Sequence, residues 1–420
     1  MAKGWLAHLQ RGYGRKLHAL HGWNGWITAL LAVTGLLLAA GFWRGVLGEG
    51  RVWIKWAHIG IGLLSLLPVL YYLALAAKHW KQLRGKPWQR FNVLTVLALL
   101  LGWFVSGVLL WQFRAAGPRV SNAALLAHDL LSWIGLPYIV YHSLTRVRWL
   151  QEPNRRTIRS ERAERDRTEE LHPAAPQPVL SRQTFIRGAI GTVLAVLLGP
   201  SFLKWLGTTL GGGFGGMGGG VTPGQLAASD ANRLTPLPEP LPASAPPAGG
   251  GARGSFRIYT VAPIPTFTNA NWSFAIDGLV DNPVRYDWAT FVRLRRTAQV
   301  SDFHCVTGWS VYGNTWEGIP LRELLDTAGV RGEAVNVKFY SGDGVYTDTL
   351  TLEQARMEDV MAAMLHDGKL IPGELGGPVR LIVPKMYAYK SVKWLTRIEL
   401  IGKEHIGYWE ERGYDKDAWV

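Results

Sequence analysis

The chain of 420 residues contains one cysteine, Cys305, in the stretch Asp302-Phe303-His304-Cys305-Val306-Thr307-Gly308-Trp309-Ser310. A lone thiol cannot close an intrachain disulfide, which leaves a buried apolar thiol, a nucleophile or a soft ligand for a metal. A dyad with His304 is not expected, because neighbours on a strand point to opposite faces. The other chemistry-bearing set is His21, His58, His128 and His142, each at the end of, or within, a long apolar run. An imidazole in hydrocarbon must be satisfied by something, and the neutral ring is a common axial ligand of haem iron. His128 and His142 are fourteen residues apart. On a helix that is within about 40° of four full turns, so both rings leave one face, about 21 Å apart along the axis.

The elements that must carry these histidines are four apolar runs, approximately Trp26 to Trp43, Trp56 to Ala77, Phe91 to Phe113 and Ala124 to Thr145. At about 1.5 Å per residue each can cross a hydrocarbon core of about 30 Å. The net charge of +14 could suggest nucleic-acid binding, but the basic residues cluster between the runs. They lie before the first run (Lys3, Arg11, Arg15, Lys16), between the second and third (Lys78, Lys81, Arg84, Lys86, Arg90) and after the fourth (Arg146, Arg148, Arg155, Arg156, Arg159). That distribution excludes nucleic acid as the partner and places the amino terminus in the cytoplasm. Trp23, Trp26, Trp43, Trp53, Trp56, Trp80, Trp88, Trp111 and Trp149 flank the runs as an interfacial belt.

With this orientation His21 and His142 fall near the cytoplasmic surface, and His58 and His128 near the outer one. Two bis-histidine pairs result, a pattern that resembles the four-helix b-type cytochrome subunits of membrane-bound formate dehydrogenases and hydrogenases. The resemblance implies two b haems carrying electrons across a lipid bilayer. His18 is the alternative to His21, His8 and His79 are expected at the surface, and Asp129 is either a partner behind His128 or an outer-surface residue.

Residues 151–180 carry mixed charge and form a cytoplasmic linker. Then SRQTFIRGAIGTVLAVLLGPSFLKWL begins, with Ser181, Arg182, Phe185, Ile186 and Arg187 in the places of a twin-arginine export signal and Gln183 where its second arginine would stand. A domain exported by that route crosses already folded. The segment over 181–208 is long enough to remain as a fifth membrane helix. The Gly- and Pro-rich stretch over 209–254 is expected to be a flexible tether.

From residue 255 to 420 short alternating apolar runs dominate, with helical patches near Leu321 and Leu352, which is an α+β pattern. The segments FHCVTGWSVYGNTWEGIPLRELL, GELGGPVRLIVPKMYAYKSVKWLTRIEL and GYWEERGY, in this order, resemble the molybdopterin domain of the sulfite oxidase superfamily. The likeness is greatest to the bacterial branch that includes the periplasmic methionine-sulfoxide reductase catalytic subunit. It implies that the Cys305 thiolate is the one protein ligand to molybdenum. It also implies that Arg380 contacts the pterin phosphate and that Ser391, Val392 and Lys393 wrap that phosphate with backbone amides and a lysine. Ser341 matches a hydroxyl contact, and Tyr259 with Thr260 lie at the other pterin face. Leu375 stands where relatives have an asparagine. No immunoglobulin-like dimerisation module is expected after the domain.

Classical sulfite oxidases follow the cysteine with an arginine-bearing stretch, which here is replaced by Val306 to Ser310. The pocket is therefore expected to be more neutral, suited to a sulfoxide or N-oxide, with Trp309 and Tyr387 lining its entrance. The expected protein is a multidomain oxidoreductase of the bacterial inner membrane: an all-α four-helix bundle over 1–150, a fifth membrane helix, and a periplasmic α+β molybdopterin domain. Quinol reduces two b haems, and these feed a molybdenum centre that deoxygenates its substrate. The same wiring run backwards would oxidise sulfite or another sulfur compound, and a non-catalytic outer binding domain is the alternative of another class.

Overall fold

A computed structural model gives the architecture; it describes residues 11–39, 46–47, 50–144, 182–210 and 232–420. The expected linker over 151–180 lies outside the described residues. The helices are α1 (Tyr13–Ala39), α2 (Gly50–Leu64), α3 (Leu66–Gln82), α4 (Pro87–Trp111), α5 (Phe113–Leu144) and α6 (Arg182–Leu210). Among the described residues five helical spans are long and apolar enough to cross a membrane, α2 and α3 together forming the one over Gly50–Gln82. Their apolar side chains face outward: only 11% of the most apolar window of Pro87–Trp111 is buried. Water would penalise such exposure, whereas hydrocarbon solvates it. Trp53 and Trp88 stand exposed near the starts of α2 and α4, where an interfacial belt would lie, whereas Trp23 and Trp26 are exposed midway along α1.

Close packing joins α4 to α5. A Cβ at Gly135 would sit 2.8 Å from the Trp103 ring, so the small residue lets that indole lie flat against α5. Trp103 Nε1 also donates to Ser132 Oγ at 3.2 Å. The fourth span was expected from Ala124, but α5 begins at Phe113 and bends at Gly117, whose φ is +74°.

The carboxy-terminal domain holds two sheets. One has the order β2 (Val284–Tyr286), β1 (Phe274–Gly278), β10 (Leu395–Ile401), β5 (Asn336–Ser341), β6 (Thr347–Thr351), with β1 parallel to β10. The other runs β3 (Thr297–His304), β4 (Ser310–Pro320), β7 (Met361–His366), β8 (Lys369–Leu370), with β9 (Arg380–Ile382) on β7. Alternation explains β5, where Val337, Phe339 and Ser341 point inward. Helix α7 (Leu321–Ala328) buries Leu321, Leu324, Leu325 and Ala328 on one face.

One expectation is corrected here. Residues 232–254 are not a tether but a strap bound to the domain. Leu241 N–H donates to Glu317 Oε2 at 3.0 Å, Gly249 N–H to Thr315 Oγ1 at 2.9 Å and Ala252 N–H to Asp367 Oδ2 at 2.7 Å. Pro236 accepts from Trp288 Nε1 at 2.9 Å, and Leu234 is buried in the core. Composition shows that such a segment has few apolar side chains of its own; it does not show that partners elsewhere will satisfy its backbone.

Candidate functional site

Cys305 sits in the turn between β3 and β4. Its N–H donates to Trp309 O at 3.0 Å and its carbonyl accepts from Gly308 N–H at 3.0 Å. Gly308 adopts φ +90°, and a Cβ there would lie 2.7 Å from Leu110 Cδ2 of α4 and 3.2 Å from the Ser121 carbonyl of α5. Only glycine fits both the left-handed backbone and this approach. The tip of the turn is therefore seated on the bundle. Thr307 Oγ1 lies 3.3 Å from the sulfur. His304 is engaged elsewhere, at 2.8 Å from Ser310 Oγ and against Tyr312.

Beside the thiol lies a buried pair of cations. Arg380 stacks 4.9 Å from the Phe303 ring centroid and donates to the carbonyls of Leu375 at 2.5 Å and Ser391 at 3.1 Å. Leu375, where relatives have an asparagine, uses its carbonyl to hold Arg380. Lys393 Nζ donates to the carbonyls of Tyr259 at 2.8 Å and Glu374 at 3.2 Å. Among the described residues no carboxylate lies within ion-pair distance of either, in contrast to Lys390, which is held by Asp348 and Glu410. Burial pushes Arg380 down to about 9, and burial with the charge of Arg380 pushes Lys393 down to about 7. Arg380 Nε and Trp309 Nε1 are buried without a hydrogen-bond partner. Two desolvated cations and two orphaned donors beside a thiol fit an anionic, phosphorylated cofactor.

Ser341, Tyr259, Thr260, Trp309, Ser391, Arg380, Lys393 and Cys305 line one cavity of about 670 Å³. Two expected contacts differ. The amides of Ser391 and Val392 point to the carbonyls of Ala388 and Lys390, closing a short turn, so they do not face the cavity. Tyr387 is buried at the domain junction, 4.9 Å from the Phe113 ring, with its hydroxyl on the Phe113 carbonyl at 3.3 Å. It anchors the junction and is not a lip of the pocket.

The histidines come together in pairs. The His58 and His128 ring centroids are 6.3 Å apart, and those of His21 and His142 5.9 Å. Two metal–imidazole bonds of about 2 Å each, with the half-widths of two rings, span a similar distance. Thr34 Oγ1 donates to Leu30 O at 2.8 Å and so accepts from His58 Nδ1 at 2.8 Å. Likewise Ser106 Oγ donates to Gly102 O at 2.7 Å and accepts from His128 Nδ1 at 2.9 Å. A proton on each Nδ1 leaves Nε2 with its lone pair, the arrangement that orients a metal-ligating histidine. Thr34 and Ser106 were not picked out by sequence reasoning; a hydroxyl on an apolar run facing a histidine-bearing run was the available signal. Tyr138 stacks on His142 at 6.2 Å. His79, expected at the surface, bonds Tyr72 Oη at 2.9 Å. His8 lies outside the described residues.

His58 and His128 line the same cavity as Cys305, Arg380 and Lys393. The junction is closed by Arg257 with Asp129 at 3.4 Å, whose side chains are 8% and 9% exposed, and by Arg114 with Asp415. The pocket is less neutral than expected, because α2 brings Arg51 and Lys55 to it, packed on Tyr259 at 4.9 Å and Tyr414 at 4.3 Å. These cations come from the membrane half, so the composition of the Cys305 turn could not reveal them.

A family model for an oxidoreductase molybdopterin binding domain matches residues 261–409. The uncharacterized oxidoreductase YuiH of Bacillus subtilis is 33% identical over 168 residues, 39% of this chain and 84% of that protein. The protein-methionine-sulfoxide reductase catalytic subunit MsrP of Gluconobacter oxydans is 30% identical over 168 residues, covering 36% of this chain and 54% of that one. For MsrP of Ralstonia nicotianae the values are 29% over 153 residues, 33% and 46%. The chain spans about half the length of these two reductases. Through a sheet-rich domain that carries the family's pattern and covers most of YuiH, the chain belongs to the molybdopterin-binding oxidoreductases of the sulfite oxidase type.

Proposed function

We propose that the protein exchanges electrons between the quinone pool and an extracytoplasmic molybdenum centre, through two b haems, and reduces an S-oxide or N-oxide of the methionine-sulfoxide kind. The observation that carries this reading is the single cavity onto which the His58–His128 pair, Cys305 and the Arg380–Lys393 cradle all open. The names of the MsrP relatives support an S-oxide as substrate. In this reading residues 1–150 form the cytochrome domain with its amino terminus in the cytoplasm, 181–208 the fifth span, and the remainder a periplasmic domain beginning near 232.

The bound molybdenum supplies oxygen-atom transfer and the haems one-electron relay. Substrate reduction consumes two electrons and two protons and releases water with the sulfide or amine, and oxidation of one quinol releases two electrons and two protons. The Cys305 thiolate ligates molybdenum, and the Thr307 hydroxyl donates to that sulfur. Arg380 and Lys393 hold the phosphate, and Trp309 Nε1 offers a further donor. Leu110, Leu125 and Phe256 keep water out of the space between the bundle and the thiol. His58 with His128, and His21 with His142, hold the outer and inner haems.

Metal analysis and a haem extract of the purified protein test this: one molybdenum and two b haems are expected, and one haem or none overturns the relay. Arg51 and Lys55 favour a second reading, oxidation of an anionic sulfur compound such as sulfite with electrons passed to quinone. Dye-coupled assays run in both directions over sulfoxides, N-oxides and sulfite decide between the two.

A further inference from the structure

Six cations line the cavity between the bundle and the outer domain: Arg51, Lys55, Arg114, Arg257, Arg380 and Lys393. Four have a task. Arg114 pairs with Asp415 and Arg257 with Asp129, while Arg380 and Lys393 form the cradle proposed for the cofactor phosphate. The remaining acid of the cavity, Asp343, accepts from the Val345 and Tyr346 N–H groups of its own loop at 3.0 and 2.9 Å. Arg51 and Lys55 are left over: both are half-buried, and among the described residues neither has a carboxylate within ion-pair distance. Arg51 donates from Nη2 to the Leu38 carbonyl at 3.3 Å, but its Nε is buried without a hydrogen-bond partner. Lys55 Nζ stands 4.3 Å from the Tyr414 ring centroid.

Both cations stand on the face of α2 that carries His58. Arg51, Lys55 and His58 follow the i, i+4, i+7 pattern of one helix stripe, which puts the cations about two turns and about one turn from the imidazole. Resting on the two-haem reading above, we infer that Arg51 and Lys55 bind the two propionate carboxylates of the outer haem. A haem ligated through His58 and His128 carries its iron at the ring centre and its carboxylates at one edge. The groups that hold those carboxylates must therefore stand off the ligating imidazole along the same wall. Two carboxylates brought into a largely apolar cavity need two counter-charges, since an unpaired charge there is strongly disfavoured. Arg51 and Lys55 are the pair that no other acid claims. The ring of Tyr259 carries Arg51 at 4.9 Å and its carbonyl accepts from Lys393 at 2.8 Å, so one residue touches both the carboxylate site and the phosphate cradle.

The full chain with its haems, held in lipid nanodiscs, is titrated electrochemically while the two haem spectra are followed. Arg51→Gln and Lys55→Gln are each expected to lower the potential of the outer haem, because a cation beside the carboxylates favours the ferrous form. Each is also expected to speed loss of that haem to a stronger acceptor protein by about 10- to 100-fold, the size of one hydrogen bond to a charged group. The inner haem is expected to be unchanged and so reports that the bundle has folded. Lys55→Arg, which keeps the charge, is expected to retain the potential and the slow loss. Haem dimethyl ester, rebuilt into the haem-depleted unaltered protein, lacks the carboxylates and is expected to be lost at least as fast as haem from Arg51→Gln. That arm decides alone should a variant lose both haems. An unmoved outer haem in both glutamine variants overturns the inference, and so does ester haem held as tightly as ordinary haem. A raised KM for sulfite in Arg51→Gln beside an unmoved outer haem gives the cations to an anionic substrate instead. A haem extract of the unaltered protein with one haem or none removes the two-haem reading itself, whereas two haems with unmoved variants remove this inference alone.

Discussion

In the cradle proposed for the cofactor phosphate, Lys393 links binding to pH. Its ammonium is buried against two backbone carbonyls beside Arg380, which brings its pKa from 10.5 to about 7. A phosphate dianion placed in this cradle favours the ammonium, so the pKa rises on binding and the loaded protein holds one more proton than the free protein. Below about pH 7 the lysine is already protonated and the linkage vanishes. Above it, affinity falls by up to about tenfold per pH unit, or about 16-fold (~1.6 kcal/mol) between about pH 7 and 8.5. A phosphate monoester has its second pKa near about 6, so it stays a dianion across that window. Arg380, lowered by burial to about 9, keeps its charge through that window. Calorimetric titration of cofactor-free protein with a phosphate monoester, in two buffers of different ionisation enthalpy, counts the protons. Uptake approaching one proton at about pH 8 is expected, and Lys393→Met is expected to abolish it while Arg380 still binds. A flat affinity between pH 7 and 8.5 without uptake, or unchanged uptake in Lys393→Met, would refute the reasoning.

His58→Ala and His128→Ala are expected to remove the same haem spectrum and leave the other, whereas His21→Ala and His142→Ala remove the second; optical and paramagnetic resonance spectra that pair differently would break the assignment. Ser106→Ala and Thr34→Val, which take away the acceptors of Nδ1–H, are expected to weaken haem binding by about 10- to 100-fold, measured as haem loss to a stronger acceptor protein. Cys305→Ser is expected to leave the haem spectrum intact and abolish turnover, because a hydroxyl is a harder and far less acidic ligand than a thiol. Near-normal activity in that variant would remove Cys305 from the metal site.

Periodicity and length determined the helical spans from sequence alone, because a bilayer of fixed thickness demands apolar runs of fixed length. The fourteen-residue spacing of His128 and His142 placed both on one face by helix geometry, and both meet their expected partners. Cys305 was legible as the one cysteine of the chain, and Arg380 and Lys393 through the family resemblance of the motifs around them. Other features exist only once the chain has folded. Whether residues 232–254 hang free or bind as a strap depends on acceptors on Glu317, Thr315 and Asp367, which lie 66 to 115 residues away in three of those contacts. Tyr387 became a junction anchor because Phe113 arrives opposite it. The joining of the His58–His128 pair and the thiol in one cavity depends on where α4 ends and α5 begins. Arg257 meets Asp129 across 128 residues of chain, and no local pattern records a contact whose two halves are folded by different solvents, lipid on one side and water on the other.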